Sequence, residues 1–593
     1  MNRLKQVKIF HCLLACMLAW ADITFALAEN SSCAEDGETY IWISPLNPKA
    51  DEQIKIMAVS TAGPVPELAL IDDVGRQVRL PSRSHGGPPW SRVAALEGLA
   101  RGAYRIVANP NGRIAACHLL IIGGSGTEEK QVNWGLATEA FYAAWIEELF
   151  GAPPAENLNF PSLEPVLRNT ERNFLHDYLG LNEDRNLPLT PDCADLPYAL
   201  RAYFAWKVGL PIAFRACGRG SAKAPPRCDA ATVKTEFTRG ALSQTGFRKI
   251  STQLANTVHS GSARTVLEDE ATDLYPIPLS RKTLWPGTVF ADPYGHVLVL
   301  VEWVPQSEGR PGLLLAVDAQ PDNSVARKRF WEGTFLFTRD KNAGPGFKAF
   351  RPLVRTNSDG WRVLSNEELF DHPGFTGFSL EQNQLTPDDF YATLAKLINP
   401  KGLKPDQAYE AMLAALVEQI ETRLISVDNG EAYFRNSPGK VIPMPDGAAI
   451  FQTLGPWEDY STPSRDMRLI IAINVLNDLP EKIVRHHELF MLNGKNPEQA
   501  KAEVEKLHAI RTLERRIRYT RTDGSPWELS IAEVLARKPA YEMGYNPNDC
   551  VEKRWGAEPN TEEYSTCRRH APADQYAKMK QYRIWFRETR RPV

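Results

Sequence analysis

The spacing of apolar residues changes character along the chain. From about residue 33 to 125 the apolar residues fall in short strand-like runs: Tyr40–Ile43, Gln53–Val59, Glu67–Ile71, Gln77–Leu80, Ala103–Ala108 and Arg113–Ile122, separated by Pro, Gly and Asp. Short runs bounded by turn residues read as strands. Asn111-Gly112 is a strong hairpin signal, because both residues tolerate positive φ. Short strands at this spacing predict a small Ig-like β-sandwich over 29–126. Gly123-Gly124-Ser125-Gly126 reads as a linker.

From 127 to 350 the pattern is mixed. Helical spacing fills roughly 135–180, an apolar helix follows Cys193, and strand-like runs appear from about 288 to 338. Arg219–Ser260 shows neither period clearly and reads as a loop-rich insertion. From 351 to 593 the spacing is mainly helical. Lys404-Pro405-Asp406 opens a helix with Tyr409, Leu413, Leu416, Ile420 and Leu424 on one face. Thr462-Pro463 and Asn496-Pro497 look like N-caps followed by a first-turn proline, with Gln499 placed to answer Asn496. There is no internal repeat and no low-complexity tract. The expected fold class is α+β and multidomain, with a β-sandwich, a central α+β region and a mainly helical C-terminal region.

The first residues read as a targeting segment. Arg3, Lys5 and Lys8 precede an apolar stretch, Ile9 to Trp20, and small residues follow at Ala19-Trp20-Ala21 and Ala26-Leu27-Ala28. This is the order of a secretory signal peptide over 1–28, cleaved after Ala21 or Ala28. The stretch is short for a bilayer span, and no later segment is long enough, so no integral membrane segment is expected after its removal. Export to the periplasm or the medium favours cysteine pairing. Of nine cysteines, Cys12 and Cys16 leave with the signal. Among the seven that remain, spacing favours Cys217–Cys228 and Cys550–Cys567, Cys33 and Cys117 bracket the first domain, and Cys193 is left over. The formal charge is only −3 over 593 residues. That near-neutral balance gives no basis for a nucleic-acid partner.

The candidate chemistry begins at Cys193. Thr190-Pro191-Asp192-Cys193-Ala194-Asp195 leads into a helix whose Leu196, Leu200, Tyr203 and Phe204 share a face, ended by Gly209-Leu210-Pro211. A thiol at a helix start is placed to ionise more easily, and the free N–H groups there suit an oxyanion. Asp192 and Asp195 act the other way, raising the thiol pKa. The second element is an antiparallel hairpin. Val297–Trp303 and Leu313–Asp318 are strands joined by the turn-rich Pro305–Pro311. Folding about residue 307 sets His296 directly opposite Asp318, close enough for the carboxylate to orient the imidazole. Cys193, His296 and Asp318 together form a Cys–His–Asp constellation.

Asp192-Cys193-Ala194-Asp195-Leu196 with its helix and Gly209-Leu210-Pro211 resembles the nucleophile helix of transglutaminase-like cysteine enzymes. His296 and Val317-Asp318-Ala319-Gln320-Pro321 resemble that family's His and Asp segments, in the same chain order. Pro286-Gly287-Thr288-Val289-Phe290 with Gly295-His296-Val297 is also similar to papain-like cell-wall peptidases. The resemblance covers roughly 135–340 and implies a papain-like core over 127–350. It also implies a thiolate that attacks an amide carbonyl, an acyl-enzyme, and transfer to water or an amine. The expected partner is a protein, peptide or peptidoglycan-peptide substrate; no cofactor or metal is expected. The competing reading is a non-catalytic envelope protein on a degenerate core.

Other motifs carry less. Arg485-His486-His487-Glu488 lacks HExxH spacing and reads as a helix surface. Arg511, Arg515, Arg516, Arg518 and Arg521 read as a solvated helix face, and Trp457-Glu458-Asp459-Tyr460 as a structured turn. Asn30-Ser31-Ser32 is a glycosylation sequon, meaningful in a eukaryotic host.

Overall fold

The computed structural model describes residues 33, 37–109, 112–124, 132–154, 156, 158–187, 189–221, 224–237, 244–320, 323–339, 343–357, 360–451 and 455–591. The expected signal peptide and the Asn30 sequon lie outside them. The chain divides into two compact units. One holds residues up to 129 except 86–89; the other holds 86–89 and everything from 130 onward.

The first unit contains β1 (Thr39–Ser44), β2 (Ile54–Ser60), β3 (Leu68–Ile71), β4 (Gln77–Arg79), β5 (Ser82–His85), β6 (Trp90–Leu96), β7 (Gly102–Ala108) and β8 (Ala116–Ile122). They form two antiparallel four-stranded sheets, in the orders β1-β2-β6-β5 and β4-β3-β7-β8. Alternate residues of both sheets, among them Ile41, Ile43, Ile54, Ile56, Ile106 and Leu120, share one buried cluster. The sequence pattern misses β5 and β6, whose buried positions do not alternate cleanly. They are strands because β6 pairs along its length with β2. β7 and β8 form the expected hairpin, with Gly102 opposite Ile122 and Ala108 opposite Ala116. Asn109 takes the left-handed conformation near its tip (φ 62°); Asn111 lies outside the described residues. A Cys33–Cys117 disulfide ties the chain ahead of β1 to β8.

The second unit is built around a seven-stranded antiparallel sheet. Its strands come from β9 (Asn159–Phe160), β12 (Leu274–Pro276), β13 (Val289–Ala291), β14 (Val297–Val304), β15 (Leu313–Ala319), β16 (Val325–Arg329) and β17 (Gly346–Phe350), in the order β12-β17-β13-β14-β15-β16-β9. The intervening β10 (Pro211–Phe214) and β11 (Val233–Glu236) make a separate ribbon. The segment read as loop-rich holds β11 and the helix Gln244–Thr257, and the Cys217–Cys228 disulfide ties its start to the chain after β10. Helices α1 (Leu136–Leu149) and α2 (Asp195–Val208) contact β14.

Every residue of α2 is buried, its three charged residues Asp195, Arg201 and Lys207 as well as the apolar face read from the sequence. Phe204 packs against Phe141, Tyr142 and Trp145 of α1, with ring centroids 5.2, 5.2 and 5.7 Å away. Burying side chains such as Leu196, Leu200 and Phe204 stabilises the helix by about 1.5–3 kcal/mol each. Two of its buried charges are paired: Lys207 Nζ lies 2.6 Å from both Glu183 and Asp184, and Arg201 forks onto Glu139. Pro197 falls in the first turn, where its missing N–H costs no helix bond. Gly209 closes the helix in the left-handed conformation (φ 82°). The start of α2 is therefore held fixed against the sheet.

The helical region contributes α3 (Pro405–Asn436), α4 (Pro463–Arg485) and α5 (Pro497–Glu514) to one core, with Leu416, Ile420, Ile470, Ile473, Leu476 and Val504 buried together. Asn496 accepts from Gln499 N at 2.9 Å and Gln499 returns the bond at 3.0 Å, the expected capping box. The arginine run is not one helix face. Arg511 ends α5, paired with Glu410 and Glu514, while Arg516 and Arg518 lie on a strand, Arg516–Thr520, paired with Pro526–Ser530. A Cys550–Cys567 disulfide lies in the same region. Among the described residues no helix is long and apolar enough to cross a membrane.

Candidate active site

Cys193 stands in the turn that opens α2. Asp192 builds this turn: its Oδ1 accepts from Ala194 N at 2.8 Å and Asp195 N at 2.9 Å, and its backbone oxygen accepts from Leu196 N at 3.0 Å. These bonds correct the sequence expectation that the helix N–H groups are free for an oxyanion. The Cys193 N–H makes no hydrogen bond among the described residues. Cys193 is half-buried and is the free cysteine of the described set.

His296 ends the loop between β13 and β14. That loop is folded by Asp292: its N–H donates to His296 O at 2.8 Å, its Oδ1 accepts from Tyr294 N at 2.6 Å, and its carbonyl accepts from Gly295 N at 3.0 Å. Gly295 has φ 103°, a region that disfavours side chains. The thiol lies against this loop. Cys193 Sγ is 4.0 Å from Gly295 O, and the Val297 N–H donates toward the sulfur. The backbone on both sides of His296 thus meets the thiol. Among the described residues no hydrogen bond joins Cys193 Sγ to the imidazole.

The structure brings His296 and Asp318 together, with His296 Nε2 2.6 Å from Asp318 Oδ2. The register differs from the sequence expectation. Val299 pairs with Val317 and Leu300 with Ala316, so Asp318 is level with Leu298, not with His296. The hairpin centre is displaced by one residue, which moves each opposed partner by two and preserves which face it occupies. His296 and Asp318 become diagonal neighbours, a separation that long side chains span. A bulge between Leu300 and Glu302 shifts the register again farther along.

Asp318 is fully buried and receives three donors on one oxygen: His296, Gln320 Nε2 at 2.7 Å, and the Lys328 ammonium. Burial alone would raise its pKa. The Lys328 charge and the His296 hydrogen bond outweigh burial and hold the carboxyl down to about 2. An ionised Asp318 makes His296 Nε2 the donor, which leaves Nδ1 with the lone pair. Burial and the Arg468 charge push the imidazole pKa below its ordinary value, against the Asp318 hydrogen bond. Burial, with Asp192 adding to it, pushes the Cys193 thiol up to about 12 despite the Val297 N–H. At neutral pH the resting groups are therefore a thiol, a neutral imidazole and a carboxylate. This arrangement suits proton transfer from sulfur to Nδ1 during attack rather than a preformed thiolate.

Four residues near the site went without a role in the sequence reading. Gln320 and Lys328 bind Asp318, and Asp292 and Arg468 bind each other at 2.7 Å. Gln320 lies two residues beyond Asp318, and Lys328 lies on β16 two residues from Ala326, the residue opposite Asp318. Arg468 comes from α4 and carries no local signal.

The weaker motifs resolve as structure. Trp457 is buried and donates to Ile450 O at 3.0 Å. Arg485 and His486 pair with Asp478 and Asp388 at 2.7 and 2.8 Å. Among the described residues, Cys550, Glu552 and Cys567 alone cluster with metal-ligand spacing, but the two sulfurs are joined and offer no thiolate. No family model, no curated protein and no solved structure matches the chain.

Proposed function

We propose that the protein is an exported cysteine hydrolase or acyltransferase acting on amide or peptide bonds, with Cys193 as nucleophile, His296 as base and Asp318 as the residue that orients the imidazole. The observation that carries the reading is the His296–Asp318 contact at the foot of the strand whose first N–H points at Cys193 Sγ. Cys193 Sγ adds to the substrate carbonyl while its proton passes to His296 Nδ1. The Cys193 N–H is placed to receive the oxyanion. His296 then protonates the leaving amine, and water or a second amine releases the acyl group. On this reading the seven-stranded sheet with α1 and α2 is a transglutaminase-like, papain-like core, and the two N-terminal sheets are an Ig-like sandwich. Three disulfides and the lack of a membrane-spanning helix among the described residues are compatible with export.

A second reading has its own support. A thiol pushed up to about 12, without a hydrogen bond to the imidazole, also fits a non-catalytic envelope-binding protein built on the same core. The two separate by assay. Purified protein is incubated with cell-wall cross-linking peptides, casein, and casein plus a labelled primary amine. The enzyme reading expects cleavage or amine incorporation that Cys193→Ala abolishes. Turnover equal in the wild type and Cys193→Ala contradicts it.

A further inference from the structure

We infer that Arg468 of α4 is a positioning residue for His296, acting through the Asp292 carboxylate that folds the β13–β14 loop. The inference rests on the cysteine-enzyme reading of the site and gives the C-terminal helical region a part in it. Asp292 is fully buried. One of its oxygens takes Tyr294 N, the other takes Arg468 Nη2 at 2.7 Å, and its own N–H holds His296 O. The other arm of the guanidinium, Nη1, donates to Thr334 O at 3.2 Å, so its orientation is fixed from two sides. A buried carboxylate that loses its cation either takes up a proton or drags its loop toward water. Either change loosens the bonds that set His296.

Other groups hold the same loop. Arg264 Nη1 donates to Pro293 O at 3.3 Å. Tyr294 Oη donates to Thr589 O at 3.2 Å, and Arg591 lies 5.7 Å from the Tyr294 ring centre while bonding Ser464, also on α4, at 3.0 Å. Two residues of α4 therefore act on the His296 loop, Arg468 directly and Ser464 through Arg591. Of the charged groups around the imidazole, Asp318 favours its protonated form, whereas Arg468 and Lys328 oppose it. Arg468 thus has an electrical signature at His296 that a purely structural brace would lack.

The test compares Arg468→Gln and Arg468→Lys with His296→Gln in the full chain. It reads the His296 titration by NMR of its ring proton, and acylation of Cys193 by p-nitrophenyl acetate. Removing the positive charge in Arg468→Gln is expected to raise the His296 midpoint by about one pH unit and to slow acylation roughly tenfold. Arg468→Lys keeps the charge but not the fork. It is expected to hold the midpoint near that of the wild type while still slowing acylation. A folded Arg468→Gln whose midpoint and rate both match the wild type overturns the inference. Should Arg468→Gln fail to fold, Arg468→Lys decides alone, and a wild-type acylation rate in it overturns the inference. If His296→Gln acylates as fast as the wild type, the reading of the site itself has failed. If His296→Gln is slow while the Arg468 variants are fast, only the positioning role has failed.

Discussion

His296 Nε2 and Asp318 Oδ2 meet at 2.6 Å although the two residues are not opposed in the β14–β15 ladder. The contact is a diagonal one, made by side-chain reach and kept on one face by the parity of the register. Asp318 also carries Lys328 and Gln320 on the same oxygen, while its Oδ1 is buried without a hydrogen-bond partner. The carboxylate is thus committed to its neighbours.

Asp318→Asn follows from this. The amide is nearly isosteric, so the sheet is expected to form. It keeps an acceptor oxygen, but its loss of charge removes the partner that favours the imidazolium. Acylation of Cys193 by an activated ester is expected to fall by roughly 10²-fold, at the low end of what a positioned base contributes. An acylation rate within twofold of the wild type, in a folded variant, would show that Asp318 is only a strand-end carboxylate.

The same residue makes an acid-stability prediction. Its pKa in the folded protein, about 2, lies below the ordinary 3.8. A depressed carboxyl contributes stability above its unfolded pKa and loses it as pH falls through the folded value. The contribution is about 2 kcal/mol, present above pH 4 and lost between pH 4 and pH 2. Thermal unfolding of the wild type is therefore expected to fall more steeply over that window than that of Asp318→Asn. Parallel curves would contradict the assignment.

Cys193 supplies a pH profile of its own. With the thiol pushed up to about 12, little thiolate forms at neutral pH. Alkylation by iodoacetamide is expected to keep rising through pH 10, where an ordinary thiol levels off near pH 9–10. Catalytic acylation should behave differently. It needs neutral His296, so it appears as pH rises through the lowered imidazole pKa. A plateau of alkylation below pH 8 would mean a preformed thiolate and a different charge balance.

Peptide mapping without reduction should find Cys33–Cys117, Cys217–Cys228 and Cys550–Cys567 joined and Cys193 free. Replacing Cys550 and Cys567 by alanine should cost roughly 2–4 kcal/mol, from the larger freedom of the unfolded chain. A Cys193 disulfide would remove the nucleophile.

What could be read from the sequence was local. Asp192, the apolar face of α2 and Gly209-Leu210-Pro211 are start and stop signals within about twenty residues, and they place Cys193 at the opening turn. The two apolar strands after His296 implied their hairpin, and parity kept His296 and Asp318 on one face even though the centre was misplaced by one residue. The bulge at Val301 has no composition signal, so the ladder beyond it was out of reach. β5 and β6 were missed because pairing, β6 with β2 and β5 with β6, makes them strands, not their own pattern. Arg468 was invisible for the same reason: its partner Asp292 lies 176 residues away in sequence, and only the packing of α4 brings them together.

The most direct test of the account is to trap the acyl-enzyme. The protein is mixed with p-nitrophenyl acetate at neutral pH, quenched in acid, and the site of acetylation is read by peptide mass spectrometry. The account predicts an acetyl group on Cys193 that is lost to water or to an added amine on standing, that forms far more slowly in His296→Gln, and that is absent in Cys193→Ala. An unmodified Cys193 in the folded wild type, or acetylation equally fast without His296, contradicts it.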